Sequence, residues 1–252
     1  MPKNKKKFTL ATITLNNAEG LEKTWNSIKS QEFEDFEWLI QDGGSTDDTI
    51  NILKNTLGII QCMNDTGIYN AMNRLISRAS GEYILFLNAG DMLADPQTLK
   101  TIAQNIKNQA DFIYGDALEQ AQDGKINYKP SRKHKRITLG MFTHHQAMLY
   151  KTSAIGKKRY NEDYKIAADY DFTARILKSA KNIEYIPTPI CIFEAGGISQ
   201  QETKAGRNEQ FQIRKTLKLC SPIQNVIITT LQAINMAFRT FAPNLYWSLK
   251  QR

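Results

Sequence analysis

The chain is poor in the residues that build covalently or metal-stapled scaffolds. Its three cysteines, Cys62, Cys191 and Cys220, are widely separated and show no C-x-x-C spacing, which points away from a disulfide framework and from a thiolate zinc site. It also lacks a long apolar run. The long uncharged stretch from Ser221 to Phe238 is interrupted by Gln224, Asn225, Thr229, Thr230, Gln232 and Asn235, too much polarity for a bilayer-spanning helix. The start, MPKNKKKFTL, passes from lysines straight into an alternating run. It has neither the apolar segment nor the small-residue cleavage site of a secretion signal. A cytoplasmic protein with reduced thiols is the expectation. No repeat period or low-complexity tract is present, which excludes fibrous and disordered classes.

With 252 residues, 41% hydrophobic and 23% charged, the chain is long enough to bury a core without staples. Its net charge of +8 is unevenly placed: residues 1–7 hold four lysines, and residues 204–252 hold eight basic side chains against the single acid Glu209. These two ends outweigh the total, so the middle is net acidic and free to present carboxylates for chemistry. The basicity is terminal and no base-reading motif accompanies it, which argues against nucleic acid as a partner.

Phe8 to Leu15 reads as a strand, followed by a helix capped at Asn16 or Asn17 with Leu21, Trp25 and Ile28 at helical spacing. A second strand, Phe36 to Gln41, ends at Asp42 and leads through Gly43, Gly44, Ser45 and Thr46 into a helix near Asp47. A short strand from Leu57 to Gln61 precedes the stripe Ile68, Ala71, Met72, Leu75, Ile76 and Ala79, a helix stopped by Gly81. Glu82 to Leu87 (EYILFL) is a nearly continuous apolar strand of the kind buried on both faces of a parallel sheet. Further strands are expected at Asp111–Tyr114, His145–Tyr150 and Ile183–Ile186, with a helix starting near Asp169 and a polar, lysine-rich excursion over residues 117–137. After about residue 205 the strands stop. Ile223, Val226, Ile227, Leu231, Ile234 and Phe238 then mark one apolar face of an amphipathic helical extension. The expected class is α/β, a doubly wound and mainly parallel sheet over residues 1–205 with a helical extension over 206–252. In such sheets ligands bind beyond the carboxyl ends of the strands, where Asp42, Asp91 and Asp116 fall.

Three acidic motifs stand out. In Asp42-Gly43-Gly44-Ser45-Thr46-Asp47-Asp48 a carboxylate at a strand end can accept hydrogen bonds from a base or ribose, and the glycines let a ligand approach the backbone. The same residues also suit a capped turn. Asn88-Ala89-Gly90-Asp91 follows the most buried strand, where an acid can hold a divalent cation against a diphosphate or simply close a turn. In Ala168-Asp169-Tyr170-Asp171-Phe172 the first acid fits either a helix N-terminus or a general base placed to accept a hydroxyl proton late in attack.

Taken in order, DGGSTDDT, DTGIYNAMNRLISRASGEYILFLNAGD, HQAMLY and ADYDF resemble glycosyltransferase family 2, the inverting enzymes of GT-A fold that use nucleotide-diphosphate sugars. The bacterial surface-polysaccharide branch is the nearest, and the resemblance spans about residues 7 to 200. It implies that Thr14, Asn16, Asp42 and Gly43 line the nucleoside pocket, and that Asp65, Gly67 and Asn73 border the ribose or donor sugar. Asn88, Ala89, Gly90 and Asp91 occupy the family's metal motif. Asn88 and Gly90 stand where its two carboxylates would be, leaving Asp91 to take Mg2+ or Mn2+. Asp169 matches the catalytic acid of the usual E-D-x-D pattern, with Ala168 in place of the glutamate. Asp116, His145, Gln146, Asp171 and Ser199 are assigned to the acceptor or diphosphate side, and Gly196 and Gly197 to a loop that closes over the donor.

The implied partners are a nucleotide-sugar donor and a glycan or lipid-linked acceptor. The amphipathic extension suits either peripheral contact with an anionic membrane at its cytoplasmic face or a homodimer contact. Two rival readings are a sugar-phosphate nucleotidyltransferase and a catalytically degenerate nucleotide-sugar-binding scaffold. The first needs a glycine-rich basic loop after the opening strand, which Leu15-Asn16-Asn17-Ala18 does not supply. The second draws on the acids missing at positions 88, 90 and 168.

Overall fold

The computed structural model describes residues 5–107, 109–121, 123–196 and 203–242. Its first half follows the strand and helix order expected from periodicity. Strand β1 (Phe8–Thr14), helix α1 (Ala18–Lys29), β2 (Phe36–Asp42), α2 (Thr49–Asn55), β3 (Ile59–Cys62), α3 (Ile68–Arg78) and β4 (Tyr83–Phe86) alternate, with β1 pairing in parallel with both β2 and β4, and β2 with β3. Helix α1 starts where Asn17, one of the two cap positions the sequence offers, accepts a hydrogen bond from the Gly20 amide.

Beyond β4 the sheet changes character. The short β5 (Met92–Leu93) and helix α4 (Thr98–Asn105) lead to β6 (Phe112–Gln120) and β7 (Ile126–Lys129). Strand β8 (Met148–Lys151), α5 (Thr152–Ile155), α6 (Ala168–Ser179) and β9 (Ile183–Glu194) follow. The strand order is β3-β2-β1-β4-β8-β6-β9-β5, with β7 also on β6. Strand β8 runs antiparallel to both β4 and β6, while β6 and β9 are parallel. The expected parallel sheet is therefore the β3-β2-β1-β4 half of a mixed one.

Two expectations need correction. Residues 117–137 are not an excursion at their start: β6 continues to Gln120 and turns back as β7. Pairing on both sides, with β7 and β9, sustains a stretch whose composition reads as loop. His145–Ala147 is a 3₁₀ turn, not strand, because the Ala147 amide bonds locally to His144 O, and the ladder begins only at Met148.

Core side chains leave the sheet on both faces. Phe8, Leu10, Ile40 and Leu85 pack with Leu21 and Ile28 of α1 and Leu99 and Ile102 of α4. Ala11, Leu39, Ile84 and Phe86 pack on the opposite face with Met72, Leu75 and Ile76 of α3 and Phe172 and Ile176 of α6. Burial of β4 on both faces explains its unbroken apolar sequence. Helix α7 (Thr203–Thr216) adds a smaller cluster in which Ile213 meets Ala167 and Tyr170, and helix α8 (Pro222–Phe241) follows. Ser221 caps α8 through a capping box with Gln224, and Pro222 occupies its first turn.

Because Leu85 is fully buried in the central strand, Leu85→Ala should lower the unfolding free energy by about 3 kcal/mol through lost transfer energy and a cavity. Urea denaturation followed by circular dichroism measures it, and a change below about 1 kcal/mol would contradict the packing described.

Candidate active site

The hydrogen-bond ladder of β1 runs on past the strand ends. Thr14 O accepts the Gly43 amide at 2.9 Å, Ala11 O the Leu87 amide at 2.9 Å, and Ile13 O the Ala89 amide at 3.1 Å. The loops after β2 and β4 thus hang from one strand and leave the sheet at the same edge.

At the first loop, buried Asp42 turns its carboxylate into its own turn. It accepts the amides of Gly44 (3.1 Å) and Ser45 (3.0 Å) and the Ser45 hydroxyl (2.5 Å). Ser45 Oγ in turn accepts the Asn16 amide at 2.8 Å, and Asn16 Oδ1 accepts the Thr46 amide at 2.8 Å. Gly43 lacks a side chain for a reason: a Cβ there would lie 2.8 Å from Asp65 Oδ2, and its neighbour Gly44 turns at φ +97°. Asp65 Oδ1 accepts the Gly67 amide at 3.0 Å just before α3. Thr14, Asn16, Asp42, Gly43, Asp65 and Gly67 therefore converge, and Thr14 Oγ1 is buried there without a hydrogen-bond partner.

Asn73 is set apart from this group. Its side chain donates to Tyr160 O and Glu162 Oε1 at 3.0 Å and accepts the Tyr160 amide at 2.8 Å. It ties α3 to the 160–162 segment at the margin of an open groove of about 690 Å³ that also includes Arg74, Arg78 and Arg159.

At the second loop the Asp91 amide bonds to Asn88 O at 2.9 Å, and Gly90 turns at φ +107°. The Asp91 carboxyl is buried and accepts Gln146 Nε2 at 2.9 Å. Burial pushes its pKa up to about 7, against the lowering effect of the Gln146 bond. Asn88 Oδ1 is buried beside it without a partner. Ala89 O accepts Asn17 Nδ2 at 3.0 Å, which joins this turn to the cap of α1.

Asp169 stands in the first turn of α6, where its Oδ1 accepts the Tyr170 amide at 2.7 Å. Burial raises this carboxyl to about 6, and the charge of Glu209 adds to the rise. Ala168 is fully buried in the apolar layer, yet a carboxylate does reach this turn. From α7, Glu209 accepts the amides of Lys165 (2.8 Å), Ile166 (2.9 Å) and Ala167 (2.7 Å). The start of α6 is held against the start of α3 by Tyr69, whose hydroxyl donates to Ile166 O at 2.8 Å.

His145 and Gln146 part company in the structure. The His145 ring is buried, stacked on Phe86 at 5.1 Å, and hydrogen-bonded through Nε2 to the Tyr160 hydroxyl at 2.7 Å. Burial lowers it to about 4, so it is neutral at physiological pH. His144 is lowered to about 4 by the same cause and stacks on Phe193. Only Gln146 reaches a carboxylate of the mouth. A run of contacts nevertheless links the second loop to the helix of Asp169: Asp91 to Gln146, then His145 to Tyr160, Tyr160 stacked on Tyr69, and Tyr69 to Ile166.

Two acids expected on the acceptor side are used internally. Asp116 is fully buried at an irregularity in the β6–β9 ladder and accepts the Tyr128 hydroxyl, the Ser131 amide (2.7 Å) and the Tyr185 hydroxyl (2.9 Å). It locks three segments together. Asp171 Oδ2 accepts Nε and Nη2 of Arg175 at 2.9 and 2.6 Å, one turn along α6. Ser199 and Gly197 lie outside the described residues. Tyr69, Tyr160, Ser45 and Glu209 were not anticipated. Tyr69 sits inside the DTGIYNAMN motif and was legible there, whereas nothing in the sequence connects Glu209 to Asp169.

Residues 9–186 match the glycosyl transferase family 2 domain. The chain belongs to glycosyl transferase family 2. This glycosyltransferase is similar to a PGL/p-HBAD biosynthesis glycosyltransferase of Mycobacterium bovis, 33% identical over 203 residues covering 76% of this chain and 78% of the relative. It is also similar to a GalNAc(5)-diNAcBac-PP-undecaprenol beta-1,3-glucosyltransferase of Campylobacter jejuni, 27% identical over 63% of this chain and 56% of that protein. Among solved structures it shares the fold of S. aureus TarS residues 1–349 in complex with UDP-GlcNAc. The TM-score is 0.70 with 20% identity, covering 93% of this chain and 74% of the other. The mixed sheet with flanking helices is thus that of the GT-A glycosyltransferases. No helix among the described residues of this glycosyltransferase is long and apolar enough to cross a membrane.

The raised pKa of Asp169 has a stability consequence with a definite sign. Its folded value of about 6 exceeds the unfolded value of about 3.9, so its favourable contribution is complete below pH ~4 and is lost as pH rises through ~6. Asp169→Asn should therefore raise the melting temperature at pH 8, with the gain shrinking to nothing below pH ~4. Scanning calorimetry across that range tests it, and a variant less stable at pH 8 would refute the burial argument.

Proposed function

We propose that this glycosyltransferase moves a sugar, with inversion, from a UDP- or GDP-linked donor to a hydroxyl of a glycan or lipid-linked acceptor in bacterial surface-polysaccharide assembly. The observation that carries the reading is Asp169: a carboxylate at a helix start, held from behind by Glu209 and Tyr69, with a proton affinity raised to about 6 by burial. An ordinary surface aspartate is too weak a base to assist a hydroxyl at neutral pH, and burial moves this one toward the working range while leaving it ionised above pH ~6. Asp169 accepts the acceptor's proton as its oxygen attacks the anomeric carbon in line, and the nucleotide leaves from the opposite face. Thr14, Asn16, Gly43 and Asp65 form the nucleoside end, with Asp42 fixing the turn between them. UDP-GlcNAc bound to TarS and the undecaprenol diphosphate in the Campylobacter relative's name support the donor and acceptor classes.

Family 2 enzymes imply a divalent cation. Mg2+ and Mn2+ take oxygen ligands, and commonly only one or two carboxylates with the substrate's phosphates completing the shell. The buried, unpartnered Asn88 Oδ1 and the Asp91 carboxyl fit that need, although no group of three His, Cys, Asp or Glu among the described residues makes a self-sufficient site. When bound, the cation offsets the charge of the leaving diphosphate. Gln146 fixes the orientation of the Asp91 carboxyl through its 2.9 Å bond.

Asp169→Asn should lower transfer about 10³-fold, as loss of a general base does, and leave the thermal shift produced by UDP intact. The wild-type kcat/KM should fall on the acid side with an apparent pKa near 6. Nucleotide-sugar binding with no turnover by the wild type would favour the scaffold reading instead. Separately, Mn2+ added with UDP should raise the melting temperature of the wild type further but not that of Asp91→Asn. An equal metal response in both would remove Asp91 from the site.

A further inference from the structure

Helix α8 is packed inside out. A surface helix normally buries its apolar stripe and shows its polar one, yet here the polar residues face the body. The guanidinium of Arg214, fully buried on α7, is held by Asn225 Oδ1 at 2.6 Å and Thr229 Oγ1 at 2.8 Å. Asn225 Nδ2 donates to Phe211 O at 3.0 Å, and Gln232 Nε2 to Leu139 O at 3.0 Å. At 100° per residue, Asn225, Thr229 and Gln232 share one side of the helix, and Ile223, Ile227, Leu231 and Ile234 fall on the other. Those residues, with Val226, are between 51% and 75% exposed. A contiguous apolar stripe of this kind marks a surface that is covered in use.

The charge around the stripe selects what covers it. The 3₁₀ turn at His134–Leu139 lies against α8, lining a shallow seam with Leu219, Ile227 and Ile228. Lys133, Lys135 and Arg136 at this turn, and Lys215 and Lys218 before α8, are all exposed. No Asp or Glu occurs between Gly124 and Asn161, and none follows Glu209. A second copy of the chain would bring the same sign of charge to the contact and be repelled, whereas anionic headgroups are attracted. No described helix can span the bilayer, so the stripe fits a helix lying in the plane of the interface.

We propose that the outward face of α8, together with the basic residues at 133–136 and 215–218, is a docking surface for an anionic phospholipid membrane. The proposal does not depend on the transferase mechanism, because vesicle binding is measured without substrate.

The test is co-sedimentation of the full chain with vesicles of phosphatidylcholine alone and of phosphatidylcholine with phosphatidylglycerol, at low and high salt. Binding is expected to the anionic vesicles and to weaken with salt. Leu231→Asp with Ile234→Asp should reduce partitioning more than about tenfold, because each loses an apolar insertion. Lys135→Ser with Arg136→Ser should cost about fivefold per charge. Both pairs face solvent, so melting temperature and far-ultraviolet circular dichroism should stay unchanged, which separates loss of docking from loss of fold. Absence of binding, equal binding to neutral vesicles, or a dimer in sedimentation velocity that the Asp substitutions dissolve would each overturn the proposal.

Discussion

Strand β1 hands its hydrogen bonds on beyond its own end, and the site depends on that. Its carbonyls at Ala11, Ile13 and Thr14 seat the backbone of the loops that leave β2 and β4. The two loops are therefore separated by strand spacing, about 10 Å across two neighbours, whatever their side chains do. A nucleoside and its diphosphate span a distance of this order. The rigid quantity in the molecule is thus the separation of two backbone turns, and the side chains around them refine what those turns hold.

Between the turns and the start of α6 lies an aromatic layer. Phe86, His145, Tyr150, Tyr160 and Phe172 stack or meet edge to face in a connected group on one face of the sheet. Such contacts fix ring positions as well as burying area. This layer also explains the neutrality of His145. It is a polar tile in an apolar floor, satisfied by Tyr160, and its role is to carry position from β8 to the start of α6.

Much of this was legible in the sequence where local rules and the global fold agree. The unbroken apolar β4 and the stripe of α3 each had a single reading because periodicity and turn chemistry pointed the same way, and the cap of α1 was narrowed to two adjacent asparagines. The far half of the sheet was harder. The end of β6 is stabilised by neighbours distant in sequence, so its own composition carried little of the signal. Of the acids, sequence position placed Asp42, Asp91 and Asp169 at strand ends or a helix start, but could not separate them from Asp116 and Asp171. The partners of those two, Tyr128 and Tyr185 for Asp116 and Arg175 for Asp171, are brought to them only by the folded chain. The carboxylate missing at Ala168 was legible, and its counterpart at Glu209 was not, because their proximity exists only after α7 folds back.

Helix α7 has two grips five residues apart. Glu209 clasps the amides that lead into Asp169, and Arg214 is clasped by α8. The last helix and the turn that carries Asp169 are therefore joined by one short rod with a hydrogen-bonded joint at either end. Displacement of the outermost helix is thereby passed along α7 to the turn that carries Asp169, so the two ends of the linkage shift together.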